Sequence, residues 1–400
     1  MSFVLYIKDL IKSDGVRGLP NHANNFLKRR IGPLYMQIMG KFFFCKKKIV
    51  FNNFAGRGYG DNPKYVASEL LSRKEEYDCV WIVRKGTNYS FPKGIRTVVH
   101  GTWKEMYELA TAGFWVDNNR KAEYIYKSER QKYIQLWHGF YPLKKMEKDA
   151  VEQLDPSYIR MAIHDGAITD LMVSGSKART PIYKNSFWYN GEILECGTPR
   201  NDIFFDGIDY RQRVVEFFGL KKEKKLLLYA PTFRDDHSID AYNLDFERLL
   251  SSLRKRFGGE WCVMVRLHPA VREKSGFIKY SDVIIDASAY DDIQELFAAC
   301  DMLISDYSDC MFEFSLTYKP VLLYAADLDA YMRGRSFYYD IRELPYQLTE
   351  SNDELMSAVE EFNEEDYEKR LKAFFDKIVV LEKGIASKTI VDYIIKHTIE

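Results

Sequence analysis

Several familiar signals are missing from this 400-residue chain, and each absence removes a class of answer. Its six cysteines (Cys45, Cys79, Cys196, Cys262, Cys300, Cys310) form no CxxC pair, which argues against a structural zinc site or a disulfide framework and fits a reducing cytoplasm. No apolar run approaches the ~20 residues of a membrane-spanning helix, and the start lacks the apolar core and small residues of a secretory signal. Net charge is absent too: 58 basic side chains meet 58 acidic ones, so nothing global points to nucleic acid as a partner. Gly56, Gly58 and Gly60 in the loop 55–63 miss the spacing of a dinucleotide fingerprint and imply only close backbone approach to a ligand. No carboxylate motif has clear metal-ligand spacing; no cofactor is called for, and a divalent cation such as Mg2+ is left as an option.

What is present is strand-helix alternation, twice over. The stretch 301–340 reads strand (302–305), tight turn, helix (308–317), strand (321–324), one parallel unit of an α/β sheet. Its turn Asp306-Tyr307-Ser308 lies beyond a strand's carboxyl end and at a helix start, where N–H groups accept a phosphate, with Ser305 and Ser308 as further donors; Asp306 or Ser308 acting simply as a helix cap is the competing reading. An earlier series of strands is expected at 49–54, 78–83, 96–100, 114–117, 133–137, 171–175 and 192–197, and a second at 226–230, 261–265 and 283–286. The fold class is therefore α/β, two doubly wound Rossmann-like domains facing a central cleft in the GT-B manner, with an N-terminal helical appendage. The expected division is 1–48 as a basic amphipathic membrane-associating segment, 49–205 as an acceptor-side domain, 206–375 as a donor-binding domain and 376–400 as a C-terminal helix.

Charge is unevenly spread. Residues 1–48 hold ten Lys or Arg against two acids, and the apolar stretch 34–45 is bracketed by Lys28-Arg29-Arg30 and Lys46-Lys47-Lys48. That pattern suits an anionic membrane surface, or else a helix packed on the body with a solvated basic flank. His138 follows a strand end, with Gly139 behind it and Lys144-Lys145 close by; a lone histidine is more often structural, but this position favours function. Arg200 and Asp202 read either as a functional pair at a sheet edge or as a capped turn. Thr232 and Arg234 end one strand of the second series, and Arg266 and His268 end another.

Six motifs occur in order: Gln135-Leu-Trp-His-Gly139 with its two lysines, Gly197-Thr-Pro-Arg-Asn-Asp202, Tyr229-Ala-Pro-Thr-Phe-Arg234, Arg266-Leu-His-Pro269, Ile304-Ser-Asp-Tyr-Ser308 and Arg335-Ser-Phe-Tyr-Tyr-Asp340. Together they resemble the CDP-glycerol glycerophosphotransferase family, the teichoic-acid and capsule-polymer primases and polymerases, over about three quarters of the chain. The resemblance implies a CDP-glycerol or related CDP-alditol donor, a lipid-linked or polymeric acceptor, release of CMP, and peripheral attachment to the cytoplasmic face of a bacterial membrane. It implies His138 and His268 as catalytic residues. Arg234, Thr232, Arg266, Ser305, Asp306, Ser308, Arg335 and Tyr338 would serve the donor, and Gly139, Lys144, Lys145 and Arg200 the acceptor side. His138 is the expected base toward the acceptor hydroxyl, while His268 and Arg234, assisted by Arg335, would neutralise the phosphates. The chain departs from the usual pattern at Asp309, Glu313, Ser336 and the lengthened turn 140–143. A carboxylate at 309 would repel a diphosphate, so it must point away from it or the donor geometry differs. Alternatives are a CDP-ribitol or nucleotide-sugar transferase of the same fold and, from another class, a catalytically silent membrane-associated assembly protein.

Overall fold

The computed structural model describes residues 19–234, 242–267 and 278–399. The first half runs α1 (Leu19–Phe43), β1 (Cys45–Asn52), α2 (Asp61–Ser72), β2 (Asp78–Val83), β3 (Ile95–Val99), α3 (Trp103–Thr111) and β4 (Ala112–Asp117). It continues through β5 (Lys132–Gln135), α4 (Pro156–Ile168), β6 (Leu171–Ser174), α5 (Arg179–Ser186) and β7 (Glu192–Glu195). The second half opens with α6 (Arg211–Phe217), β8 (Lys225–Tyr229), α7 (Phe246–Phe257), β9 (Trp261–Val265), β10 (Ile284–Asp286) and α8 (Ile293–Ala299). Then come β11 (Met302–Ser305), α9 (Cys310–Phe314), β12 (Val321–Tyr324), α10 (Leu328–Gly334) and β13 (Gln347–Thr349). Three helices close it: α11 (Asn352–Glu360), α12 (Glu364–Ile378) and α13 (Ala386–Ile399).

Both sheets are wholly parallel, as expected of strands that read as unbroken apolar runs with helices on both faces. The first has the order β3-β2-β1-β4-β5-β6-β7 and the second β10-β9-β8-β11-β12-β13. Strand order therefore reverses twice, between β1 and β4 and between β8 and β11, and in open α/β sheets such reversals open the crevices that hold ligands. Two Rossmann-like units of this kind make the GT-B architecture.

One boundary differs from the sequence reading, and two packing relations add to it. β1 starts at Cys45, so residues 45–48 belong to the first sheet; Lys48 is buried and its Nζ donates to Glu108 (3.0 Å) and Thr111 Oγ1 (2.8 Å). α1 lies on α3 through a narrow face: a Cβ on Gly40 would stand 2.7 Å from the Ala110 carbonyl, and Met36 is buried beside Leu109. Between α12 and α13 the chain crosses back to the first half, where Ile390, Val391 and Ile394 share a core with Val66 and Leu70.

A second exchange runs the other way. Phe140, Tyr141 and Leu143, which follow His138, are buried in the core of the second half. The Tyr141 ring stacks on Tyr339 (5.1 Å) and meets Phe312 (4.9 Å) and Phe374 (5.4 Å) edge-on. The lengthened turn is thus an aromatic plug holding the two halves together.

Candidate active site

At the first reversal β1, β4 and β5 deliver polar residues to one edge. His138, three residues past Gln135 at the end of β5, is half-buried between the Phe54 ring (centroids 5.3 Å apart) and the Trp137 ring (4.7 Å, nearly parallel). Its Nδ1 has no hydrogen-bond partner. Burial lowers the imidazole's pKa to about 4; Asp61 opposes that shift, while the Arg200 and Arg179 charges add to it. The ring is therefore neutral at pH 7, the form a general base requires.

The backbone around it is held in costly conformations. Phe54 (φ 40°), Ala55 (φ 54°), Asp61 (φ 55°) and Trp137 (φ 51°) all sit in the left-handed region, at ~1–2 kcal/mol for each L-residue. Gly139 (φ 72°) is where glycine is required for its conformation. Arg179 is fully buried beneath this loop: Nη2 donates to the His138 carbonyl (3.2 Å), Nε donates to Tyr183 Oη (2.6 Å), and Nη1 has no partner.

The second reversal holds most of the expected donor residues in a single knot. Arg234 is buried; Nε and Nη2 donate to Asp327 (2.6 and 2.9 Å), Nη1 donates to the Thr232 carbonyl (2.6 Å), and Nη2 lies 2.9 Å from Asp306. Asp306 also accepts the N–H groups of Thr232 (2.8 Å) and Tyr307 (2.6 Å), and Ser305 Oγ donates to the Ala230 carbonyl (2.8 Å). Ser305, Asp306 and Arg234 are thus turned into the fold, where they shape the turn. Arg234, expected to neutralise donor phosphates, has its guanidinium committed to two carboxylates in this arrangement. Ser308 is half-buried at the start of α9, and the Thr232 hydroxyl is buried without a partner. Arg266 stands apart, donating to the carbonyls of Ala287 (3.1 Å) and Tyr290 (2.6 Å). His268 lies outside the described residues.

The two edges meet. Asp309 points away from the donor turn, as expected, and its Oδ1 accepts the Leu143 N–H (3.0 Å). Residues 336–338 pair with 143–145: the Lys145 N–H donates to the Ser336 carbonyl (2.8 Å), the Tyr338 N–H donates to the Leu143 carbonyl (2.8 Å), and Tyr338 Oη donates to Asp149 (2.6 Å). Lys144, expected on the acceptor side, has its ammonium 5.4 Å above the Tyr331 ring, while Lys145 and Arg335 are both exposed. Arg200 does not pair with Asp202. It bridges Asp61 and Glu313, whereas Asp202 caps α13 by accepting the N–H groups of Ala386 (3.0 Å) and Ser387 (2.7 Å).

Sequence reasoning missed Asp61, Asn118 and Arg179. The first two carry the same signal that found His138, polar residues directly beyond a strand or its loop (Gly60-Asp-Asn62, Val116-Asp-Asn-Asn119). Arg179 carries none. Among the described residues no three His, Cys, Asp or Glu side chains converge as a metal site.

Comparison with known proteins gives a consistent result. The sequence model described as CDP-Glycerol:Poly(glycerophosphate) glycerophosphotransferase matches residues 34–396. The chain is 31% identical over 399 residues to a teichoic acid poly(glycerol phosphate) polymerase of Bacillus subtilis (strain 168), covering 95% of this chain and 53% of that protein. It is 32% identical over 377 residues to a teichoic acid glycerol-phosphate transferase of Staphylococcus aureus (strain NCTC 8325 / PS 47), covering 88% of this chain and 93% of that one. The chain thus spans about half the length of some curated relatives and nearly all of others. A solved structure of the wall teichoic acid polymerase TagF superposes with a TM-score of 0.81 at 28% identity, covering 96% of this chain and 97% of that one.

Proposed function

We propose that this chain, which belongs to the CDP-glycerol:poly(glycerophosphate) glycerophosphotransferase family, transfers glycerol phosphate from CDP-glycerol to a hydroxyl of a lipid-linked or polymeric acceptor in teichoic-acid-type synthesis. The observation that carries the reading is the position of His138: neutral, at a strand end of one sheet, on a loop tied through Asp309 to the phosphate-competent turn of the other. The acceptor oxygen attacks the phosphorus bearing glycerol, His138 takes its proton, the new P–O bond forms as the bond to the CMP oxygen breaks, and CMP leaves. Most of the acceleration in such a step comes from alignment and from cations around the spreading charge. Lys144, Lys145 and Arg335 supply that charge in this reading. Mass spectrometry of products from CDP-glycerol, CDP-ribitol and nucleotide sugars with a membrane extract tests it; extension by a sugar or by ribitol phosphate alone would overturn the glycerol assignment.

The pH profile offers a second check. A base works unprotonated, so activity falls as pH drops through the folded-state pKa of His138. The acid limb of kcat/KM, which reports the free enzyme, is expected well below histidine's usual 6.5 and toward 4. A limb at 6.5 or above would rule His138 out as the group titrating in this environment.

The proposal extends to an anionic membrane surface on the cytoplasmic side. Among the described residues no helix is long and apolar enough to cross a membrane. The outer face of α1 nevertheless exposes Leu27, Ile31, Leu34, Ile38 and Phe42 at helical spacing, with Phe42 70% exposed, and exposed Lys41, Lys46 and Lys47 lie at its end. An apolar stripe edged by cations supports binding in the interface plane. Replacing Leu34, Ile38 and Phe42 by serine and reversing Lys46 and Lys47 should release the protein from acidic vesicles while turnover of a soluble acceptor survives. Salt should weaken binding of the parent, since such attraction is screened over ~8 Å at physiological ionic strength. Undiminished vesicle binding by the five-fold variant would refute the surface assignment. Lys48 is left intact because its charge is buried against Glu108.

A further inference from the structure

Arg200 is the most heavily committed cation between the two halves, and the proposed reaction gives it no direct task. Its guanidinium joins Asp61, at the start of α2, to Glu313 in α9, donating to Glu313 from Nε (3.0 Å) and Nη2 (2.7 Å) and to Asp61 from Nη1. The three side chains are 13%, 11% and 1% exposed for Arg200, Asp61 and Glu313. Glu313 lies one turn beyond the Asp306–Ser308 turn, and Gln294 Nε2 holds its other oxygen (3.1 Å). From the Arg200 backbone a second chain of bonds leads to the histidine: its N–H donates to Asn62 Oδ1 (3.0 Å), and Asn62 Nδ2 donates to the Trp137 carbonyl (2.9 Å), the peptide linked to His138. Asp61 in turn accepts Asn118 Nδ2 (3.0 Å), and Asn118 accepts the Phe54 N–H (2.9 Å) behind the ring that faces His138.

We propose that Arg200 is a positioning residue that locks the His138 loop to the donor turn across the domain seam and sets the electrostatic field at the imidazole. The inference rests on the reading of His138 as the base. A buried guanidinium between two carboxylates has a narrow set of geometries, because its fork must meet both partners at once. Displacing it tilts the Asn62 contact and moves the strained Trp137-His138 peptide. Misplacement on the order of 1 Å costs about 10²-fold in a step governed by alignment. The charges facing His138 are Asp61 from α2, Arg200 from the turn after β7 and Arg179 from α5, with the Asn118 carbonyl from beyond β4. Asp61 favours the imidazolium and the two arginines oppose it, so the two ends of the clamp have effects of opposite sign.

Two variants separate this role from general loosening. Arg200→Gln removes an opposing charge and leaves Asp61 unpaired, so the His138 pKa should rise. Glu313→Gln frees the Arg200 charge, so the pKa should stay or fall. Both should lower kcat, Arg200→Gln by about 10²-fold, with the Kd for CDP-glycerol changed less than about twofold. The His138 titration is read by NMR on histidine-labelled protein, its resonance assigned by its loss in His138→Ala, so the field is measured without reference to turnover. Parental kcat and titration in both variants would overturn the proposal. So would a loss of kcat matched by loss of donor binding with an unmoved titration, or equal shifts of one sign. Should Arg200→Gln fail to fold, Arg200→Met, which also removes the charge but keeps the bulk, carries the same comparison with Glu313→Gln. If His138→Ala turns over like the parent, the base reading fails, while the NMR shifts still judge the clamp.

Discussion

Alanine at His138 is expected to lower kcat by ~10²- to 10⁴-fold, the span associated with loss of a general base, while the Kd for CDP-glycerol stays near that of the parent. The affinity expectation follows from geometry. The ring lies between Phe54 and Trp137 on the first half, and the turn at the second reversal has its own braces in Arg234, Asp306 and Ser305. Removing the imidazole gives up only its contact with the Asn118 carbonyl, since Nδ1 has no partner, so the fold should persist. Titration calorimetry of donor binding beside single-turnover kinetics tests this, with circular dichroism as the fold control. Parental turnover would remove His138 from the chemistry, and lost donor binding with an intact fold would move it to the donor wall.

Replacing Arg234 by alanine should cost about 3–5 kcal/mol of stability in the second half, the range for removing one partner from a buried ion pair. The guanidinium is 5% exposed and separates Asp306 from Asp327, while Tyr307 and Tyr331 lie 4.9 and 5.0 Å from its carbon. Without it, two carboxylates face each other with no cation between them. Arg234→Lys restores a charge but not the fork and should recover only part of the loss. Trp261 is the sole tryptophan of residues 206–400, the other five being Trp81, Trp103, Trp115, Trp137 and Trp188, so its fluorescence on denaturant titration reports this half. A midpoint equal to the parent's, together with lost CDP-glycerol affinity, would show that Arg234 acts on the donor directly.

Sheet order and strand ends were largely legible because parallel strands covered on both faces are continuous apolar runs, and β2, β11 and β12 fall where the pattern places them. β13, only three residues at a sheet edge, is too short to carry such a signal. Part of the candidate-site edge was legible for the same reason: whatever follows a buried strand in this fold lies at the crevice, which picks out the His138 loop and the turn after β11, although Asp306 itself turns inward. Partners across the seam were not legible. Arg200 and Asp202, two residues apart, read as a functional pair or a capped turn, yet their side chains serve different elements more than a hundred residues away, Glu313 and the start of α13. Asp309 and the turn 140–143 stood out only as departures from the family pattern; they are contacts between the halves, which one-dimensional spacing does not encode.

The two exchanges of chain between the halves also bear on the order of events during synthesis. Domains generally fold as units as they emerge, the N-terminal one first. Here the first sheet is complete at β7, but Ile390, Val391 and Ile394 of its core are made some 200 residues later, roughly 10–40 s at ribosomal speed. Over the same interval Tyr141 waits for Phe312, Tyr339 and Phe374. The loop bearing His138 therefore takes its final shape only after Phe374 has been made, and until then a nascent first half presents an unfilled apolar groove where its core will close.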